Sequence, residues 1–103
     1  MGVVLYSPLA YSTDTLIDTD MPVLFIEASN DKVLTPDMKR DTKSRVTEGA
    51  TFIMIEGGNH MGYCDILFPF DGKMEISKED MQVTVAEYTI NFIKEVIIGD
   101  INQ

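Results

Sequence analysis

Residues 22–36 read PVLFIEASNDKVLTP, an apolar run that stops abruptly in a polar loop. The run over residues 22–28 is short, rich in β-branched and aromatic side chains, and nearly continuous in its apolar positions. A strand of that kind is covered on both faces, as in a parallel sheet. Two further runs share the character: GVVLYS at 2–7, ended by Pro8, and TFIMIE at 51–56. Between the second and third runs, Thr35 can cap a helix, Pro36 suits its first turn and Asp37 favours its positive end. Met38, Thr42 and Val46 give it a thin inward stripe, and Gly49 is expected to close it. A strand, a helix and a strand of these lengths form a crossover, which requires the two strands to be parallel.

The last third reads as a second, longer helix. Ser77 is a good N-cap, and Glu79 and Asp80 place negative charge in the first turn. Met81, Val85, Tyr88, Phe92 and Val96 recur at helical spacing, and Ala86, Ile90, Ile93 and Ile97 form a second stripe beside them. So wide an apolar face is expected to be buried against the sheet, with Gly99 ending the helix. The fold class is therefore α/β. A short, mostly parallel sheet of about three strands with flanking helices makes three layers, and residues 1–103 form a single domain.

Composition narrows the function classes. A hydrophobic content of 45% suits a globular chain rather than a disordered one. No apolar run approaches the roughly 18 residues that a spanning helix needs, so no membrane association is expected. The apolar N-terminus lacks a basic region ahead of it and is interrupted by Tyr6, Ser7 and Pro8, unlike a signal peptide. For myristoylation after Met1-Gly2, Ser7 falls one position late. The net charge of −9 repels phosphate backbones and argues against nucleic acid. Cys64 is the single cysteine, which excludes an internal disulfide and any multi-cysteine zinc site. A cytoplasmic setting and no cofactor are the expectations.

In α/β sheets, functional groups gather just beyond the carboxyl ends of the strands. Asp31 lies there after the second strand, in EASNDKV, and His60 lies there after the third, in EGGNHMG. Neighbouring parallel strands are about 4.8 Å apart, so their loops can bring a carboxylate to an imidazole. Such a carboxylate fixes the histidine tautomer and stabilises the imidazolium formed when the ring acts as a base. Taken singly, Asp31 reads as a turn residue beside Asn30, and His60 as a loop histidine. Their placement at consecutive strand ends favours a catalytic origin. Gly57-Gly58 serves the backbone turn toward His60, since no helix begins directly after it to cradle a phosphate. A Cys64–His60 nucleophile pair, or a His60-Cys64-Asp65 metal site, is a weak reading, because a free cysteine is usually a small buried hydrophobe. The Phe68-Pro69-Phe70 segment is apolar for a loop and could pack on the sheet or belong to a contact surface.

With these residues in place, the chain resembles the C-terminal part of an α/β-hydrolase. PVLFIEASNDKVLTP is similar to the strand, triad acid and downstream proline of that family. TFIMIEGGNHMGY is similar to its last strand and catalytic-histidine loop. The 29 positions from Asp31 to His60 leave room for one helix and one strand, as the family requires. The resemblance runs from about Val3 to Val96, with VVLYSPLAY as the strand that follows the nucleophile's helix. So little sequence between Tyr11 and Asp20 implies no inserted lid, as in lidless esterases of the dienelactone hydrolase and polyester hydrolase groups. Ala28 stands three residues before the acid, where the family often has glycine. The G-x-S-x-G nucleophile elbow has no match in these residues. Tyr6-Ser7-Pro8 lacks glycines for so tight a turn, and Ser7 is expected to have a structural role.

The resemblance thus implies a serine-esterase type hydrolase that retains triad acid and histidine, lacks the nucleophile and is inactive alone. Two alternatives stand beside it. A half-sheet exposes an unpaired edge, so the chain could be a non-catalytic module that forms a homodimer through the strand at residues 3–6. A complementing chain could instead supply the nucleophile half.

Overall fold

The computed structural model describes residues 2–8, 20–63 and 70–101. The readings made of Cys64, Asp65, Phe68 and Pro69, and of residues 11–19, lie outside the described residues. Three strands, β1 (Val3–Tyr6), β2 (Val23–Ala28) and β3 (Thr51–Ile55), form one parallel sheet in the order β1-β2-β3. Helix α1 (Pro36–Ser44) joins β2 to β3, and α2 (Lys78–Ile101) follows β3.

The most continuously apolar run takes the centre of the sheet, and all six residues of β2 are buried. Alternation along β2 divides the core into two faces. Leu24, Ile26 and Ala28 pack with Ile55, Met81, Val85 and Phe92, so α2 covers one face. Val23 and Phe25 pack with Val46, just beyond α1, on the other. Glu27 shares that second face, and its burial is offset by a 2.8 Å ion pair with Lys43 of α1. The result is a three-layer arrangement with one helix on each side of the sheet.

Local signals explain the start of each helix. Thr35 Oγ1 accepts the Met38 N–H at 3.2 Å, with Pro36 at the first helical position. Ser77 Oγ accepts the Asp80 N–H at 3.0 Å. Neither glycine ends its helix as expected. Helix α1 stops at Ser44, before Gly49, because Val46 must leave the helical path to reach the sheet, and Arg45 and Val46 N–H turn back to Thr42 and Lys43 carbonyls. Helix α2 runs through Gly99 to Ile101. A glycine permits a left-handed stop but does not impose one.

Several burial expectations also need correction, among them Met38 of α1 and Tyr88 of α2, which are 41% and 42% exposed. β3 is not covered on both faces: Phe52 and Met54, in register with Phe25 and Glu27, are 40% and 47% exposed, although Lys43 Nζ of α1 lies 5.3 Å from the Phe52 ring centroid. The second apolar stripe of α2 is not buried on the sheet either. Met81, Val85 and Phe92 are buried, whereas Ile90 and Ile93 are 50% and 47% exposed and Ala86 is exposed as well. A helix lying on a flat surface buries one stripe about 100° wide, and the second stripe points elsewhere.

Candidate active site

The loops leaving the carboxyl ends of β2 and β3 carry the two residues singled out by sequence, and the fold brings them together. Asp31 is held in a tight turn: its N–H donates to Ala28 O, and its Oδ1 accepts the N–H groups of Val33 at 3.0 Å and Leu34 at 3.1 Å. Lys39 Nζ donates to the Asp31 carbonyl at 2.7 Å, which ties this loop to the first turns of α1. The remaining oxygen, Oδ2, lies 2.9 Å from His60 Nδ1. The Asp31 side chain is 1% exposed and that of His60 is 23% exposed. A carboxylate so deeply buried is sustained by donors: two backbone N–H groups hold Oδ1, and His60 Nδ1 lies within hydrogen-bonding distance of Oδ2.

Several contacts shape the histidine loop. Gly57 has a positive φ of 80°, a conformation open to glycine and costly to most residues, and its N–H donates to Ser29 Oγ at 2.7 Å. Asn30 N donates to Gly58 O at 2.8 Å, so the acid loop and the histidine loop are stitched together next to the pair. Asp71 then clamps the histidine itself: its carboxylate accepts the backbone N–H groups of His60 at 3.0 Å and Met61 at 2.9 Å. Asn59 Nδ2 bonds Gly72 O at 2.9 Å. Sequence reasoning missed Asp71, because a carboxylate that accepts backbone N–H groups from ten and eleven residues earlier in the same connection leaves no periodic signal.

Tyr63 was also missed. It follows the histidine loop away from β3 and reaches β1, where its ring stacks on Tyr6 with centroids 5.3 Å apart and its hydroxyl lies 2.7 Å from Ser7 Oγ. Ser7 is buried and has a φ of 42°, a left-handed conformation that no glycine signalled in the sequence. Its N–H donates to Ile26 O, and its hydroxyl is engaged by Tyr63.

A family model, the alpha/beta hydrolase family, matches residues 1–83. The chain belongs to the alpha/beta hydrolase family. The matched span contains all three strands, α1, Asp31 and His60, and stops within α2. No curated protein and no solved structure shows significant similarity to it. A crevice of about 610 Å³ lies at the opposite end of the strands, lined in part by Pro22, Val23, Thr51, Phe92 and Val96. It is remote from Asp31 and His60 and holds none of the acid–base groups. No helix among the described residues is long and apolar enough to cross a membrane.

Proposed function

We propose that Asp31 and His60 are the acid and general base of a serine-hydrolase site, and that the nucleophile lies outside these 103 residues. The observation that carries this reading is the 2.9 Å contact between His60 Nδ1 and a buried Asp31 whose other oxygen is already committed to two backbone donors. With Nδ1–H donated to the carboxylate, the neutral ring presents Nε2 as a proton acceptor. Nε2 would take the proton of a serine hydroxyl as Oγ bonds to the ester carbonyl carbon. It would return that proton to the leaving alkoxide, while Asp31 stabilises the intervening imidazolium. The chain holds no G-x-S-x-G segment, and Ser7 Oγ is bonded to Tyr63, so the chain by itself does not turn over esters.

Two measurements test this. In ¹⁵N spectra, neutral His60 is expected as the Nδ1–H tautomer, and Asp31→Asn should disturb that preference. A neutral ring protonated on Nε2 would remove the base assignment. Hydrolysis of p-nitrophenyl acetate by the chain alone should match a simple histidine background, whereas robust turnover abolished by Ser7→Ala would overturn the placement of the nucleophile.

A second reading, a self-associating module, draws on a different observation: apolar α2 residues that the sheet leaves uncovered.

A further inference from the structure

The crevice at the amino ends of the strands takes no part in the acid–base pair, yet its lining has one chemical character. It lies between the starts of β2 and β3 on one side and the last turns of α2 on the other. Its volume of about 610 Å³ is that of a small-molecule site. Val23, Phe92 and Val96 are buried or half-buried and give it an apolar floor. Two exposed carboxylates, Asp20 ahead of β2 and Glu95 on α2, stand at its rim. No basic residue lines it among the described residues. Lys94, next to Glu95 in sequence, is exposed and lies outside the lining.

A separate observation gives the crevice the same sign. Helix α2 ends at Ile101, and Gly99, in its last turn, borders the crevice. The last four carbonyls of a helix have no partner within it, and with the macrodipole they form a negative pole. Lysine, arginine or histidine near a helix end neutralises such a pole, but the last turn of α2 holds no basic residue. The space beside Gly99 is also open, since a Cβ there would meet no atom within 4 Å.

We propose that this crevice binds a small organic ammonium ion, a primary amine carried on an alkyl or aryl body. Asp20, Glu95 and the helix end receive the ammonium group, whose N–H groups find only acceptors there. The body covers the floor made by Phe92 and Val96. A metal ion suits the crevice less well. No group of three or more His, Cys, Asp or Glu placed to hold one occurs among the described residues, and the apolar floor offers no oxygen ligands. An anion is opposed by both carboxylates, by the helix pole and by the net charge of −9. A neutral apolar molecule uses the floor alone.

Titration of the ¹⁵N-labelled whole chain with benzylammonium chloride, followed through amide chemical shifts, tests this. Saturable shifts are expected at Val23, Thr51, Val96 and Gly99, with half-saturation in the millimolar range suited to so small a ligand. Benzyl alcohol has the body without the charge, and methylammonium has the charge without the body. Each should bind at least about fivefold more weakly. Glu95→Gln should weaken benzylammonium about two- to fivefold, the range of an exposed ion pair, and Glu95→Lys more than about tenfold. Glu87→Gln removes the same charge from α2 outside the crevice and should leave the affinity unchanged. Glu87 and Glu95 are both exposed, so these variants should keep the circular dichroism and thermal transition of the parent. Absence of saturable shifts at the crevice overturns the proposal, as does equal binding of benzyl alcohol. Equal weakening by Glu95→Gln and Glu87→Gln overturns it too, since that marks diffuse attraction to an acidic chain. None of these readouts involves Asp31 or His60, so they fail or succeed separately from the acid–base assignment.

Discussion

The Tyr63 hydroxyl lies 2.7 Å from Ser7 Oγ, although Tyr63 belongs to the loop leaving one edge strand and Ser7 ends the other. The loop that carries His60 therefore crosses the carboxyl ends of all three strands. Stacking of Tyr63 on Tyr6, with rings 4° from parallel, anchors the far end of that crossing. Asp71 fixes its middle by holding the His60 and Met61 N–H groups. The imidazole is thus set in place from both sides, with Asp31 as the third constraint.

The Tyr63 anchor makes stability sensitive to alkaline pH. Burial, with smaller contributions from the Asp31 and Glu27 carboxylates, pushes its pKa from 10.0 to about 12 against the opposing pull of the Ser7 hydrogen bond. The folded chain thus keeps a proton that the unfolded chain releases above pH 10, and stability falls as pH rises from 10 toward 12. Denaturant midpoints measured across that interval should decline more steeply for the parent than for Tyr63→Phe. In an ultraviolet titration, one of the four tyrosines should form its phenolate late, and the Phe variant should lose that late step. Identical midpoint slopes in the two proteins would show that Tyr63 does not hold its proton in the fold.

Ser7 allows a second test, because its backbone and its hydroxyl can be separated. Both Ser7→Ala and Ser7→Gly remove the bond to Tyr63, but only glycine adopts a φ of 42° without steric cost. Ser7→Gly is expected to be more stable than Ser7→Ala by about 1 kcal/mol, measured by chemical denaturation. Alanine proving as stable as glycine would mean that the left-handed turn carries no strain.

The difference between what could and could not be read from the sequence follows from the range of each interaction. The strands were legible because β-branched runs and their alternation are local, and the α1 start was legible because Thr35 and Pro36 act within one turn. Asp31 and His60 could be singled out because a strand end is a place that local pattern defines. Asp71 and Tyr63 could not, since their value comes from partners 11 and 56 residues away in loops without periodicity. The second stripe of α2 was visible as apolar spacing. Its outward direction was not, because a helix reports which residues share a face but not which face meets the sheet. Glycine misled twice for a related reason: at 49 and 99 it allowed a helix end that neither position required.

Gly72 shows the opposite case, a glycine whose need is set wholly by tertiary contact. A Cβ built there would lie 1.6 Å from the carbonyl oxygen of Asn30 and 2.8 Å from its carbon. Asn30 cannot easily move aside. Its N–H is bonded to Gly58 O, and its side-chain amide donates to Lys73 O at 2.9 Å and Glu75 Oε1 at 2.8 Å. Moving Gly72 instead would draw the Asp71 carboxylate off the His60 and Met61 N–H groups and release the Gly72 carbonyl from Asn59. Gly72→Ala is therefore expected to destabilise the fold by more than about 3 kcal/mol, in the range of severe overpacking combined with broken buried hydrogen bonds. It should also shift the His60 and Met61 amide resonances. Gly49→Ala is the matched control, because its Cβ would meet only Thr47 Oγ1 at 3.9 Å, and it should change stability by less than about 1 kcal/mol. Equal effects of the two substitutions would show that the Asn30–Gly72 contact does not constrain the histidine loop.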